Sequence, residues 1–349
     1  MKASSESGLC PILIISVSDI VLFLSYIVIA VCLCYHDNMA ARKYLYLMAI
    51  PSQLTELASA ESVALTGVAP DAYGITVSGT CVDVRCGAYV KSCTEVLFET
   101  DSVSELYVNI RSADLYADDF RVSVVKKPRN MNVDSMALTR QIGSIIGGKP
   151  NLSSPQVVFL TVITPKKIWF GRLLSESDGM WVAHDQRPHV TSSSLPARLA
   201  RAFVNLVASP GDHLLDPCCG TGTIVMSAAH CGIHASGYDI NPRMVGATTK
   251  NLDHYGLTAD VQLGDARTIQ QRFNVVATDL PYGINLVKDT AATKEILTNL
   301  RSCAPKTGFI DIRDLSQPLA DLGYQVKTII PVPKMRLVRR IFIAISDDQ

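Results

Sequence analysis

The sequence predicts an α/β protein in two parts: a C-terminal doubly wound, mostly parallel sheet with an antiparallel last strand, preceded by a smaller α+β module. Three observations carry that expectation. After Asp212, apolar runs that often end in an acid alternate with helical stretches, the pattern of parallel strands joined by crossover helices. The last two runs, YQVKTIIPV and RRIFIAI, are separated only by the link Pro333-Lys334-Met335-Arg336. That link is too short for a crossover, so the two strands form a hairpin at the sheet edge. Before residue 175, short strand-like runs and helices mix without that order.

The 349 residues suffice for two or three domains, and 48% hydrophobic residues indicate a folded globular chain. Thirty-two basic residues balance 32 acidic ones. Any polyanion must therefore be held by local patches and not by a global field. Ten cysteines include no CxxC pair, and adjacent Cys218 and Cys219 are poorly placed for a structural bridge. This usage points to a reduced, cytosolic setting and to no metal. Residues 1–38 differ from the rest. The run from Cys10 to Tyr35 carries a single charge, Asp19, and is long enough to span a bilayer, with Arg42 and Lys43 then keeping the remainder cytoplasmic. The other reading starts the chain at Met39, whose following residues read as the ordinary beginning of a soluble domain, a strand followed by a helix.

Residues 39–100 hold short strands (YLYLMAI, YGITVSG, VDVRCGA) around the helical SQLTELASAES, an N-terminal ferredoxin-like α+β region. Residues 101–175 repeat the mixture with VSELYVNI, FRVSVVKK, MALTRQIGSIIGG, PQVVFLTVI and KIWFGRLL. Basic residues concentrate here: Lys126, Lys127, Arg129, Arg140, Lys166 and Lys167. Scattered cations are also what a solvated face shows. Polar residues 176–193 form a linker. Ser194 is then the expected N-cap of a helix with Leu195, Leu199, Ala202, Phe203 and Leu206 on one apolar stripe. Residues 194–349 make the doubly wound domain, with strands at HLLD, ASGYDI, DVQLGD, NVVATD, GFIDIR and the closing hairpin.

Ligands in such sheets bind beyond the carboxyl ends of the strands. The first strand leads into Asp216-Pro217-Cys218-Cys219-Gly220-Thr221-Gly222. Its glycines permit a tight turn and close approach of backbone to a ligand. The second strand ends in Asp239-Ile240, and Asp239 lies 19 residues after Gly220, placed to accept ribose hydroxyls. Asn241 and Pro242 then cap and open a helix. Gly264-Asp265-Ala266 follows the third strand, with an acid suited to an adenine amino group, and Asp279-Leu280-Pro281-Tyr282 follows the fourth. One such acid is ordinary turn or cap chemistry, but four in succession are not. The turn lacks the third glycine of GxGxxG and the GK[ST] of a P-loop, and a carboxylate precedes it. A pyrophosphate is disfavoured and a cationic or zwitterionic nucleoside favoured.

DPCCGTGT, GYDIN, GDA and DLPYG, in this order and spacing, resemble the class I, Rossmann-like, S-adenosylmethionine-dependent methyltransferases. DLPYG is similar to the (Asp/Asn)-Pro-Pro-aromatic signature of enzymes that methylate exocyclic or amide nitrogens. RPHVTSSSLPARLARAFVNL, FRVSVVKK and RQIGSIIGG extend the resemblance, over residues 42–345, to the THUMP-domain tRNA guanosine N2-methyltransferases, nearest in layout to the archaeal enzymes acting at tRNA position 10. The resemblance implies S-adenosylmethionine as cofactor, held by Asp216, Cys218, Gly220, Thr221, Gly222, Asp239, Ile240, Asp265 and Ala266. It implies catalysis by Asp279, the Pro281 carbonyl and Tyr282, acting on the N2 of guanosine. It further implies a monomeric, cytoplasmic enzyme with tRNA as partner, gripped by a THUMP-like module at 101–175 through the six basic residues named above. Lys334, Arg336, Arg339 and Arg340 are candidates for a second basic patch. Two departures stand out: Leu280 replaces the commoner proline, and Ser227 occupies a position where relatives often carry a cofactor-side glutamate.

Alternatives remain at this stage. The same chemistry could serve tRNA position 6 or ribosomal RNA. A DNA adenine N6-methyltransferase would share the cofactor motifs without needing the N-terminal module. A protein glutamine N5-methyltransferase would share the strand-end clamp. A non-enzyme reading is a membrane-anchored RNA-binding protein with a decayed site.

Overall fold

Two sheets organise the chain. The computed structural model describes residues 42–281, 286–334 and 337–346. The apolar leader, Tyr282 and Arg336 lie outside the described residues. Among the described residues no helix is long and apolar enough to cross a membrane.

The first sheet contains β1 (Tyr44–Met48), β2 (Ile75–Ser78), β3 (Val90–Thr100), β4 (Phe120–Lys126), β5 (Val157–Ile163) and β6 (Ile168–Glu176), in the order β2-β1-β3-β6-β5-β4. Its pairs are antiparallel except β4 with β5. A parallel pair needs a crossover, and α3 (Ser135–Ile145) supplies it, capped by Asp134, whose carboxylate accepts the Met136 and Ala137 amides at 3.0 Å. Likewise α2 (Val103–Ser112) starts at Ser102, whose hydroxyl accepts the Glu105 amide. The divide expected at residue 100 does not separate two sheets. β3 and β6 are long and adjacent, and their ladder runs from Ser92↔Glu176 to Thr100↔Ile168. Packing still divides there. α2 and α3 close a cluster around Phe120, Phe159 and Phe170, whereas Tyr44, Tyr46 and Leu57 join a core shared with the C-terminal half.

The second sheet is doubly wound, as the sequence predicts. It comprises β7 (His213–Asp216), β8 (His234–Asp239), β9 (Asp260–Leu263), β10 (Val275–Asp279), β11 (Lys306–Asp311), β12 (Tyr324–Lys334) and β13 (Leu337–Ser346). The order is β12-β13-β11-β10-β7-β8-β9, parallel from β9 to β11, with β13 antiparallel to both neighbours. The chain winds outward from β7 to β9 and then returns to β10 on the other side of β7. The reversal point, where a crevice opens, is therefore between β7 and β10.

Helix α5 (Ala197–Val207) joins the halves. It begins later than expected: Pro196 is its N-cap and Ser194 does not cap it. The Ala197 amide is instead taken by the Asp185 carboxylate at 2.7 Å. The expected stripe is also too narrow, because Ala197, Ala200, Arg201, Val204 and Val207 are buried as well. One side crosses β11 so closely that a Cβ on Gly308 would stand 2.6 Å from Val207 Cγ1 and 2.7 Å from Phe203 Cε2. The other side meets α1 (Thr55–Thr66), where Glu61 is fully buried. Its carboxylate accepts the amides of Ala88 (2.8 Å), Tyr89 (2.6 Å) and Val90 (3.1 Å) and the Asn205 amide nitrogen of α5 (2.7 Å).

Removing this acceptor strands buried donors in both halves. Glu61→Ala is expected to lower the unfolding free energy by about 3 kcal/mol or more. Lys43→Ala, which deletes an exposed ion pair with Glu99, should cost less than about 1 kcal/mol. Urea denaturation of both variants checks the ranking; equal effects would show that the Glu61 cluster does not hold the halves together.

Candidate functional site

At the β7–β10 reversal lies a cavity of about 360 Å³. Asp216 and Cys218–Thr221 line one side, Asp279–Pro281 another, and Thr191, Ser193, Ser194 and Leu195 a third. Among its described lining residues there are two carboxylates and no basic side chain.

The glycine turn owes its shape to residues around it. Gly220 and Gly222 adopt φ of +55° and +83°. Such angles favour glycine, and at Gly222 a Cβ would also stand 2.5 Å from Thr248 Cγ2. Three neighbours pin the turn. Asp239 accepts the Gly220 amide at 2.9 Å, Thr248 donates its hydroxyl to the Gly220 carbonyl at 2.8 Å, and Asn251 donates to the Thr221 carbonyl at 2.9 Å. Helix α6 (Thr223–His230) starts directly after the turn.

Residues 176–193, expected as a linker, help build this wall. They carry a short helix, α4 (Trp181–His184). The His189 amide and carbonyl are held by Asn251 at 2.9 and 2.8 Å, and Ser194 shares a hydroxyl bond with Thr221 at 2.9 Å. Buried Arg187 donates to the Thr223 hydroxyl at 2.8 Å and to the His184 carbonyl at 3.0 Å. Sequence reasoning missed Arg187, Thr191, Ser193 and Thr223 as site residues, because their roles come from tertiary contacts with α6 and α7 (Pro242–His254).

Asp216 is the most perturbed acid. Burial, with smaller contributions from Asp279 and Asp239, pushes its pKa up to about 7. The Thr278 hydroxyl at 2.8 Å and the Cys218 amide at 3.3 Å oppose the rise. The thiols of Cys218 and Cys219 are pushed well above their usual range by burial and then by Asp216, so neither is an activated nucleophile.

The predicted residues divide into two groups. Asp216, Cys218, Gly220, Thr221, Asp279 and Pro281 line the cavity. Gly222, Asp239, Ile240, Asp265 and Ala266 stand along the same edge of the sheet without lining it. Asp239 also accepts the Asn241 amide at 2.8 Å, and Ile240 is 67% exposed. Both Asp265 oxygens engage Arg267, one at 2.6 Å, which holds this carboxyl below its usual range. A role for Asp265 toward an adenine must share the carboxylate with that pair. Ala266 is buried, its carbonyl taken by Asn299 at 3.0 Å. Ser227 does not face the cavity; it is buried and donates to the Thr223 carbonyl at 2.8 Å. Tyr282 lies outside the described residues.

A second cavity, about 880 Å³, has the opposite character. Lys91, Lys126, Lys127, Arg129 and Arg198 line it over an apolar floor that includes Leu47, Ile50 and Val124, with no acid among its described lining residues. Burial, then Arg198, pulls the Lys91 pKa down; burial, then Arg129, does the same to Lys127. Arg198, from α5, stacks 4.3 Å from the Tyr89 ring centroid and 4.7 Å from that of Trp181. Three of the six predicted basic residues thus meet two that the sequence did not single out. Arg140 and Lys166 are exposed elsewhere, and Lys167 pairs with Glu99 and Asp101. The second patch is not realised as expected: Arg339 is buried, and Arg340 donates to the Ile312 carbonyl at 3.0 Å.

A family model described as RMKL-like, methyltransferase domain matches residues 184–304. The chain is 33% identical over 211 residues to the tRNA (guanine(10)-N2)-dimethyltransferase of Methanothermobacter thermautotrophicus, covering 57% of this chain and 62% of that protein. A Methanothermococcus thermolithotrophicus protein named "probable tRNA (guanine(10)-N2)-dimethyltransferase" is 34% identical over 125 residues, covering 32% of this chain and 76% of that one. The chain thus spans about three fifths of the length of the Methanothermobacter relative. Among solved structures, TrmN from Thermus thermophilus aligns with a TM-score of 0.46 and 16% identity, over 87% of this chain and 99% of that one.

A carboxyl whose folded pKa exceeds its unfolded value favours the folded state at low pH and loses that contribution as pH rises through the folded pKa. For Asp216 the window runs from about pH 4, the ordinary aspartate value, to about pH 7. The ligand-free protein should therefore lose stability across this window relative to Asp216→Asn. Unfolding free energies of both proteins at several pH values test this, and a constant difference would rule out titration of Asp216 in that range.

Proposed function

The chain belongs to the tRNA guanine-N2 methyltransferase family, and from that premise we propose that it methylates the exocyclic N2 of a guanosine in tRNA, at position 10, giving N2-methyl- and N2,N2-dimethylguanosine. The observation that carries this reading is the cavity at the strand-order reversal, with two acids and no base in its described lining. A pyrophosphate cofactor would meet unscreened carboxylate there, whereas a sulfonium or an ammonium is attracted. The donor set thus fits S-adenosylmethionine, which when bound supplies an electrophilic methyl group. Asp216 and the Cys218–Thr221 backbone would hold its polar groups, and Thr191, Ser193 and Ser194 offer further hydroxyls.

The chain's own residues address the amine. Guanine N2 is a weak nucleophile because its lone pair is delocalised into the ring. The Asp279 carboxylate and the Pro281 carbonyl, both on the cavity wall, accept its hydrogens and favour a tetrahedral nitrogen. Tyr282 follows in sequence and is suited to stack on the base. A target base must leave its stack to reach such a recess, which costs a few kcal/mol. The phosphate backbone of the tRNA falls to the basic cavity, where Lys91, Lys127, Arg129 and Arg198 present cations without a carboxylate among the described lining. Residues 101–175 are the THUMP-like part in this reading, and the reaction is cytoplasmic.

Two outcomes are expected. Asp279→Ala, incubated with unmodified tRNA transcript and labelled S-adenosylmethionine, should lose about 10²-fold or more of its methyl transfer while still binding the cofactor. Digestion of wild-type product should yield N2-methylguanosines; label in another nucleoside would overturn the substrate. Combining Lys91→Ala with Arg198→Ala should weaken tRNA binding and reduce the salt dependence of log K by about 1 to 2, leaving cofactor affinity unchanged in calorimetry. An unaltered salt slope would remove this cavity from the RNA path.

A further inference from the structure

We propose that His213, His234 and Asp260 form a site for a borderline divalent cation such as Zn²⁺ or Co²⁺, at the end of the second sheet opposite the catalytic cavity. The inference does not depend on the methyltransferase reading. Each residue is the first of its strand, on β7, β8 and β9 respectively. Register brings them together: His213 pairs with His234, and Asp260 pairs with Ser236, two residues further along β8. Alternation then puts His234 and Ser236 on one face, with His213 and Asp260 beside them. One donor atom from each of the three lies within 4.8 Å of the others.

The donor set decides the class of ion. Two imidazoles and a carboxylate suit zinc and its neighbours, whereas magnesium and calcium call for oxygen ligands. Present contacts gather the side chains but do not yet converge their lone pairs, because the two rings lie nearly parallel, 17° apart. His213 stacks on His234 at 3.9 Å between ring centroids and rests against the edge of Phe273 at 4.7 Å. The Ser236 hydroxyl lies 2.8 Å from His213 Nε2, and Asp260 Oδ2 lies 3.1 Å from His234 Nε2. Bonds of about 2.0–2.2 Å in a tetrahedron place donors roughly 3.4 Å apart. The donors must therefore close, and the His234 ring must leave the stack and exchange its Asp260 bond for the ion, which the exposed side chains of His234 and Asp260 can do by rotation. Water completes the coordination. No spacing motif announces the site, because its members come from three strands separated by helices. Its role is mechanical. Among the described residues β9 is the edge strand of this sheet, paired with β8 alone, and a shared ion would tie its start to β7 and β8. The far ends of β8 and β9 lead to Asp239 and Asp265.

Full-length protein stripped with a chelator is titrated with Zn²⁺ by calorimetry and with Co²⁺ by visible spectroscopy. One equivalent per chain is expected, with a nitrogen- and oxygen-ligated cobalt spectrum and a higher unfolding temperature. His234→Ala and Asp260→Asn, both exposed and outside the catalytic cavity, should each weaken binding tenfold or more and abolish the thermal shift while the fold is retained. Absence of stoichiometric binding overturns the proposal. So does a sulfur-to-cobalt charge-transfer band, which would assign the metal to the cysteines, or undiminished affinity in His234→Ala, which would place it elsewhere on the chain.

Discussion

The buried carboxylate of Glu61 is the polar joint at which the first sheet is fixed to the helix that packs on the second. A charged group removed from water is tolerated only where donors surround it, and here the donors come from two places. Three amides lie just before and at the start of β3, and one side-chain amide lies on α5. The carboxylate thus fixes where the first sheet begins relative to the helix that packs on the second. Arg198, the second residue of α5, donates to the Ala88 carbonyl of the same segment at 3.1 Å. The basic cavity borrows its geometry from this joint, since its walls come from β1, β3, β4 and α5.

Zero net charge conceals a separation of signs. The cavity at the sheet reversal presents carboxylates and the cavity over the first sheet presents cations, a separation that the sum over the whole chain does not reveal. Local fields act over about 10 Å at ordinary ionic strength, so ligands respond to each cavity and not to the total. Asp216 shows the consequence most directly. Its neighbours are themselves acids, and burial leaves it poised near neutrality, a state that a cation in the cavity would relieve.

What could be read from the sequence was whatever local chemistry dictates. The glycines of the turn, the acids at successive strand ends and the closing hairpin each follow from backbone rules over a few residues, and the second sheet forms where those rules place it. The residues that escaped notice are defined by partners far away in the chain. Thr191 and Ser193 reach the cavity because Asn251 grips His189 from α7, and Arg187 matters through Thr223. Arg339 and Arg340 look like surface cations in sequence, but the pairing of β13 between β11 and β12 turns Arg339 inward. The long β3–β6 ladder likewise joins residues 39–100 and 101–175, which the sequence suggested as separate units.

Leu280 illustrates how a departure from a motif can be structural. Its amide donates to the Ile310 carbonyl at 3.0 Å, extending the β10–β11 ladder one step past Asp279. Its side chain is 1% exposed and joins the cluster of Ile296, Leu297 and Phe309. A proline at 280 could not donate that bond, so relatives with two prolines must hold the strand end by other means. Here Asp279 sits inside a continuous ladder, and Pro281, lacking an amide hydrogen, lets the chain leave the sheet. A side chain carried on a rigid strand is held more exactly than one carried on a loop. Leucine at this position therefore holds the Asp279 carboxylate in place through backbone pairing and core packing.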